Sequence, residues 1–296
     1  MSIAGMPGLE TITQWTALIF YLFSSVLFIY SAASRSEGSV KAALWLAFAG
    51  LAAHSVSLGV RWHATGHGPY LMKSEEFSAA AWVAMAMFLL FAFRSPALRN
   101  AGVLVLPVCL AVMVFMSSRW FSGFLHERLV HAEAANMSGH IIRPPATFNG
   151  IWFAVHVSAA TVSPGAVLIS LAASMLYLVK TKRSGSRLAR RLPAPEAIDE
   201  YSYRFAGLGF ISWTVMTIAG AMWAERAWGS YWGWDPIETW SLITWLLLGL
   251  YLHLRRFHGW GGEKAAWLMA LCFTISVLTA FALPFVVKTI HTEYMF

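Results

Sequence analysis

Apolar runs of membrane-crossing length leave this chain few folds to choose from. Eight of them, near residues 12–33, 41–60, 78–93, 101–117, 148–179, 204–224, 239–254 and 265–287, divide the 296 residues. A helical crossing takes about 20 apolar residues. Charged residues make up 12% of the chain, against about 25% in a soluble domain, so no water-facing surface can be built around these runs. Lipid offers the backbone no hydrogen-bond partners, which admits only helices or a closed barrel. The runs are too long and too uniformly apolar for barrel strands. The expected fold class is an all-α integral membrane protein, a bundle of about eight transmembrane helices forming one membrane domain over residues 1–296.

The charge is distributed as a topology signal. The connections at 34–41, 94–100, 180–204 and 255–264 hold 2, 2, 7 and 3 Lys or Arg, 14 of the chain's 21. Short basic connections stay on the cytoplasmic side. Both termini, and the connections near 61–77, 118–147 and 225–238, are then expected outside. The net charge of +7 follows from this rule, and nucleic acid is not the partner it implies. The basic stretch from Lys180 to Arg191 reads as a solvated linker, with at most a minor role on anionic lipid. Cys109 and Cys272 both fall inside apolar runs as packing residues, and the absence of CxxC argues against thiol redox work or covalent haem attachment to this chain. The first apolar run lacks a signal peptide's basic start and small-residue cleavage site, and reads as a retained helix.

One segment stands apart from this pattern. Trp228-Gly-Ser-Tyr231-Trp232-Gly-Trp234-Asp235-Pro236-Ile237-Glu238-Thr-Trp240 places three Trp and a Tyr within seven residues, on a connection (about 225–240) between two helices. Gly229 and Gly233 would let the backbone turn tightly and approach a flat ligand. Asp235 suits a helix N-cap and Pro236 the first helical position. Indole faces can stack on a planar macrocycle such as haem. An aromatic belt at the membrane interface is the competing reading, and the residues alone leave both open.

The run WGSYWGWDPIETWSLITWLLLGLYLHLR resembles the tryptophan-rich WWD signature of the haem-handling proteins of cytochrome c assembly. Within that group the WDP-x-ETW-x-LITWL continuation and the closing YLH are most similar to the CcsA (ResC) type of the System II pathway. A second patch, Arg61-Trp62, Gly66-His67-x-Pro69 and Glu76, resembles the family's loop after its second helix. Phe148 to Val157, containing His156, resembles the helix that bears its first external histidine. The resemblance covers about residues 40–296. It departs at Ile237, where the family usually has a basic residue, at Ala159 to Pro164, and at Ile290-His291-Thr-Glu-Tyr.

What the resemblance implies can be stated residue by residue. His156 and His291 match the two external histidines that flank the Trp loop as axial ligands of haem iron. Trp228, Trp232, Trp234, Asp235 and Trp240 belong to the haem-binding segment. Depth supports the two histidines: His156 lies about 12 Å into a helix that starts outside, and His291 just beyond the outer end of the last helix. His253 lies about 21 Å into its helix, near the cytoplasmic face. The resemblance makes it an iron ligand of a second, inner haem site. The competing reading is a histidine snorkelling beside Arg255 and Arg256. His54 is at the wrong depth to pair with it, His258 is assigned to a loop, and no other histidine is expected near that face. A second inner ligand would therefore come from another chain, the family's CcsB (ResB) type membrane partner. The remaining histidines, His67 among them, take no role.

The function so implied is haem b transport, presentation and attachment to apocytochrome c, as a subunit of a cytochrome c synthase (haem lyase) in the bacterial cytoplasmic membrane. Haem is substrate and ligand, and the Trp loop faces outward. Three rivals make different demands. A CcmC-like delivery protein shares the loop without the downstream pattern. A membrane b-type cytochrome needs two histidine pairs within its helices. A plain transporter needs paired broken helices at the midplane, for which only Pro164 and Pro284 are candidates.

Overall fold

A computed structural model describes residues 6–34, 37–117, 148 and 150–287. Every element in it is helical. The eight expected runs appear as α1 (Met6–Ala33), α2 (Glu37–Thr65), α3 (Lys73–Arg94), α4 (Gly102–Met116), α5 (Ile151–Lys182), α6 (Pro195–Trp228), α7 (Pro236–Phe257) and α8, which starts as Gly262–Val277 and continues through a π-helical segment (Leu278–Ala282) to Leu283–Val286. Seven of these are long and apolar enough to cross a membrane. The chain is a multi-pass membrane protein. α4 has 15 residues, about 22 Å of helix, short of the ~30 Å hydrocarbon core.

Apart from α4, the helices run past the apolar stretches that announce them at one end or both. α6 begins at Pro195 instead of 204, and α7 at Pro236 instead of 239. Hydropathy marks only the part of a helix that lipid touches. The polar first turns are set by other signals, here a Pro at the first position of each helix. Glu196 in the first turn of α6 suits the helix dipole.

α5 is the hub. In its most apolar window 67% of residues are buried, against 22–44% in the other six spans. It packs along α6 and also meets α3, α4 and α8, while α1 lies chiefly against α2. Small residues permit the closest approach: a Cβ on Gly165 of α5 would come 3.0 Å from the Ala84 backbone of α3. Cys109 and Cys272 are free and buried, as packing residues should be.

Side-chain bonds define two ends of the bundle. At one, Arg187 and Arg191 donate to the carbonyls of Ala33 and Ser31 (2.9 and 2.8 Å), Arg255 pairs with Asp199 (2.6 Å), and Lys182 with Glu263 (2.6 Å). This basic end gathers the turn before α6 and the α7–α8 turn. At the other, Arg61 bridges Glu75 and Glu10, and the Trp-rich connection packs between α6 and α7.

Candidate functional site

The Trp-rich connection is a built structure. Gly229 ends α6 with φ +78°, a left-handed conformation that glycine adopts without strain. Asp235 caps α7, its carboxylate accepting from the Ile237 amide (2.8 Å). Glu238 closes the reciprocal half: its Oε2 accepts from the amides of Gly233 (2.8 Å) and Asp235 (3.2 Å). Asp235 and Glu238 are both buried. Two bonds to one carboxylate thus flank Trp234, which sits at φ 57°, a region that costs a bulky side chain about 1 kcal/mol or more. Gly229 and Trp234 are the residues of this connection with positive φ, and Glu238 fixes the backbone on both sides of Trp234. Trp234 is 69% exposed, and its ring meets Trp232 edge-on (5.8 Å, 88°).

Trp232 and Tyr231 line a cavity of about 140 Å³ at the Trp end, bounded also by His156, Trp213, Lys73 and Glu76. Three neighbours position His156. Its Nδ1 donates to the Met216 carbonyl of α6 (2.8 Å). A carbonyl can only accept, so the proton is on Nδ1, and in the neutral ring the lone pair is on Nε2, the atom a metal would need. Trp223 stacks on the ring (5.9 Å, 24°). Gly220 provides the notch: a Cβ there would lie 2.7 Å from Nδ1. The hydrogen bond therefore requires that α6 carry no side chain at that turn.

The rest of the wall is equally specific. Pro164 removes the amide that would bond the Ala160 carbonyl, and both residues line the cavity. Opposite them the π-helical segment contributes Thr279 and Ala280. Thr279 is tied to α7 by Thr244 (3.0 Å) and the Trp240 carbonyl (3.3 Å). The two interrupted helices meet at one cavity, since Pro284 lines it too. Lys73, itself buried, donates to the Pro284 carbonyl (2.9 Å). It is placed there by the preceding loop, which Glu75 holds by accepting from the Leu71 and Met72 amides (3.0 and 3.1 Å) and from Arg61. The Arg61–His67 patch is thus the scaffold that delivers Lys73 and Glu76 to the cavity.

Of the residues expected at the site, the structure brings together His156 and Trp232. Trp228 packs on Trp223 (5.2 Å, 76°) in an apolar cluster with Leu71, Phe148 and Phe153. Asp235 serves as a cap, and the Trp240 carbonyl receives Thr244 and Thr279. His291 lies outside the described residues. Sequence reasoning missed Gly220, Trp223 and Lys73. The only signal for Gly220 was the small-residue run Ala219-Gly-Ala before Met222-Trp223, which does not reveal His156 as its partner far upstream in the sequence.

His253 sits at the basic end, exposed, its ring 5.0 Å from Phe257 and 5.2 Å from His258. The expectation that no other histidine stands near this face needs correction. α7 ends at Phe257, and His258 at its C-cap folds back against the preceding turn, which sets the two imidazoles side by side. His54 is fully buried between Tyr21 (3.4 Å) and Ser78 (2.8 Å), a satisfied polar residue of the core.

The family model described as cytochrome C assembly protein matches residues 70–291. Relatives named cytochrome c biogenesis protein CcsA include those of Chlamydomonas reinhardtii (34% identical, 73% of this chain and 58% of the relative), Gloeobacter violaceus (30%, 79% and 81%) and Guillardia theta (28%, 96% and 91%). A solved structure of a protein named cytochrome c heme lyase CcmF superposes with a TM-score of 0.65 at 19% identity, over 95% of this chain and 47% of that one. This last likeness is one of fold. The chain spans about three fifths of the first relative's length and about half of the lyase's.

Proposed function

Since the chain belongs to the cytochrome c assembly family, we propose that it serves haem attachment to cytochrome c by taking up haem, transporting it and presenting it to apocytochrome c, as the CcsA-type subunit of a System II cytochrome c synthase. The observation that carries this reading is His156. It is an imidazole held by its Nδ1 proton, with the lone pair on Nε2, on the wall of a cavity shared with Trp232 and Lys73.

Haem b fits the chemistry of that wall. Neutral imidazole is a common axial ligand of haem iron. The indole of Trp232 offers an apolar face, and the buried Lys73 ammonium suits a propionate. His291, just beyond α8, is the proposed ligand on the opposite face of the iron. The cavity of about 140 Å³ is smaller than the roughly 300–1,000 Å³ of a ligand-sized pocket, so loading requires its walls to part. Trp234, rigidly capped and exposed, would stand where an apocytochrome segment approaches. Bringing the vinyl groups to the thiols of that segment is chiefly positioning, and the haem and the thiols supply the chemistry.

His253 is the proposed inner ligand. An imidazole exposed on the surface of a membrane helix is available to a second chain, and the CcsB-type partner would contribute the opposing ligand. The membrane is proposed to be the bacterial cytoplasmic membrane, with the basic end inside and both termini and the Trp end outside. A b-type cytochrome would require histidine pairs facing each other across helices. Among the described residues the only close pair is His253 with His258, neighbours at one helix end.

Complementation tests the function. A strain lacking its own System II haem-presenting subunit should regain covalently haem-stained cytochrome c with the wild-type chain and a CcsB-type protein, and stay deficient with His156→Ala. Full maturation with His156→Ala would refute the proposed role. Reporter fusions at residue 260 should read cytoplasmic and at residue 232 external. A cytoplasmic reading at 232 would overturn the orientation.

A further inference from the structure

A second, larger cavity lies beside the His156 site. It measures about 510 Å³ and is bounded by α3, α4, α5 and α8, within the range of a ligand-sized pocket. Its walls are almost wholly apolar and partly made of small residues: Ala80, Ala81 and Ala84 on α3, Ala111 on α4, Gly165 on α5. Ala111 and Phe115 at its rim are exposed. In a membrane-spanning bundle that exposure is to lipid.

The two cavities share Phe77 and Pro164. The partition between them is a stack of aromatic rings, Phe77 on Phe281 (4.3 Å, 16°) and on Phe285 (6.2 Å, 29°). Phe281 belongs to the π-helical segment, whose Thr279 and Ala280 face the His156 cavity while Phe281 and Ala282 face the larger one. Single π-turns recur at functional sites. Here the turn lets consecutive residues of one helix line two separate spaces. Lys73 stands at the junction, its ammonium 5.1 Å over the Phe285 ring.

We propose that this cavity is a lateral doorway: haem reaches His156 from the bilayer, between α4 and α8, past the Phe77–Phe281 stack. The inference rests on haem being the cargo of the His156 site. The occupant follows from the shape and charge of the slot. Its body is apolar with aromatic faces, and just past its inner end, over the Phe285 ring and on the wall of the His156 cavity, lies the buried Lys73 ammonium. A flat apolar macrocycle with carboxylates on one edge matches both. Carboxylates drawn to Lys73 would orient the ring as it passes. The aromatic stack closes behind it, which accounts for the small volume at His156 when the two spaces are divided.

The test is a loading rate. The full chain, purified with its CcsB-type partner, is reconstituted in phosphatidylethanolamine–phosphatidylglycerol vesicles with haem supplied in the bilayer. The growth of the His156-dependent Soret band is followed. Ala111→Trp and Ala80→Phe should slow it by at least about tenfold, the scale expected when overpacking must be relieved at each passage. Phe281→Ala should accelerate it. Ile211→Trp, which adds the same bulk on a lipid-exposed position of α6 (62% exposed), should leave it unchanged. Wild-type loading in both filled variants, with the band still dependent on His156, would overturn the doorway and leave the haem site standing. No His156-dependent band in the wild-type protein would overturn the site and the doorway together. A stoichiometric lipid that stays in the cavity throughout loading would also contradict the proposal. Because Phe281→Ala predicts a gain of rate, misfolding of the filled variants cannot mimic support.

Discussion

Two histidines in the same kind of apolar helix meet opposite surroundings. His156, on α5, is fixed from three sides by the Met216 carbonyl, the Gly220 notch and the Trp223 ring. His253, on α7, is exposed and touches Phe257 and His258. The first has its tautomer and orientation settled before any ligand arrives, and the second leaves both open. A preorganised group suits a site that must hold its cargo in one pose for a reaction. A group left open suits a site completed by another surface. The contrast teaches that membrane depth alone, equally available for both residues, does not say which kind of site a histidine belongs to. The neighbours on the facing helix do.

The comparison can be broken most forcefully at Gly220. Gly220→Val would drive a side chain into the imidazole. Cytochrome maturation should fall on the order of a hundredfold, as when a positioned group is misplaced by ~1 Å, while the spectrum of haem bound at His253 stays as it was. Normal maturation in that variant would show that the notch is incidental. A smaller, conditional effect is expected at the other end. His253→Ala should lower the haem bound at the inner site by about tenfold when the CcsB-type protein is coexpressed, a loss typical of disturbing a metal site, and change little in the chain alone. A haem loss independent of the partner would remove the distinction between the two histidines. The smallest effect should come from Asp235→Ala, which deletes a helix cap at a cost of about 1 kcal/mol. Thermal unfolding should register it, and a haem spectrum that also changed would return Asp235 to the site.

Much of the fold was legible because lipid imposes a length and a hydropathy on every crossing. All eight helices stand where the apolar runs stand; seven extend past their runs at one end or both, and α4 falls within its own. The Asp235 cap and Pro236 start could be read directly, since a cap is a relation between near neighbours in sequence. The site was legible in part. His156 and Trp232 were reached through the family resemblance, and the structure puts both on one cavity wall. Gly220 and Lys73 did not stand out, because their meaning lies in long-range contact. A glycine becomes a notch only when α5 brings a ring to it. A lysine becomes part of a wall only when Glu75 holds its loop and Pro284 receives its ammonium. The pairing of His253 with His258 was hidden by assigning one to a helix and the other to a loop, a boundary that the C-cap crosses.

The central claim is that Nε2 of His156 holds haem iron. The most direct measurement is the optical spectrum of the protein purified after coexpression with a CcsB-type protein, as wild type and as His156→Ala, with and without added imidazole. The account predicts a bis-histidine spectrum in the wild type, loss of the corresponding component in His156→Ala, and its partial return when imidazole fills the vacated position. A variant whose spectrum and haem content match the wild type, with no response to imidazole, would contradict it.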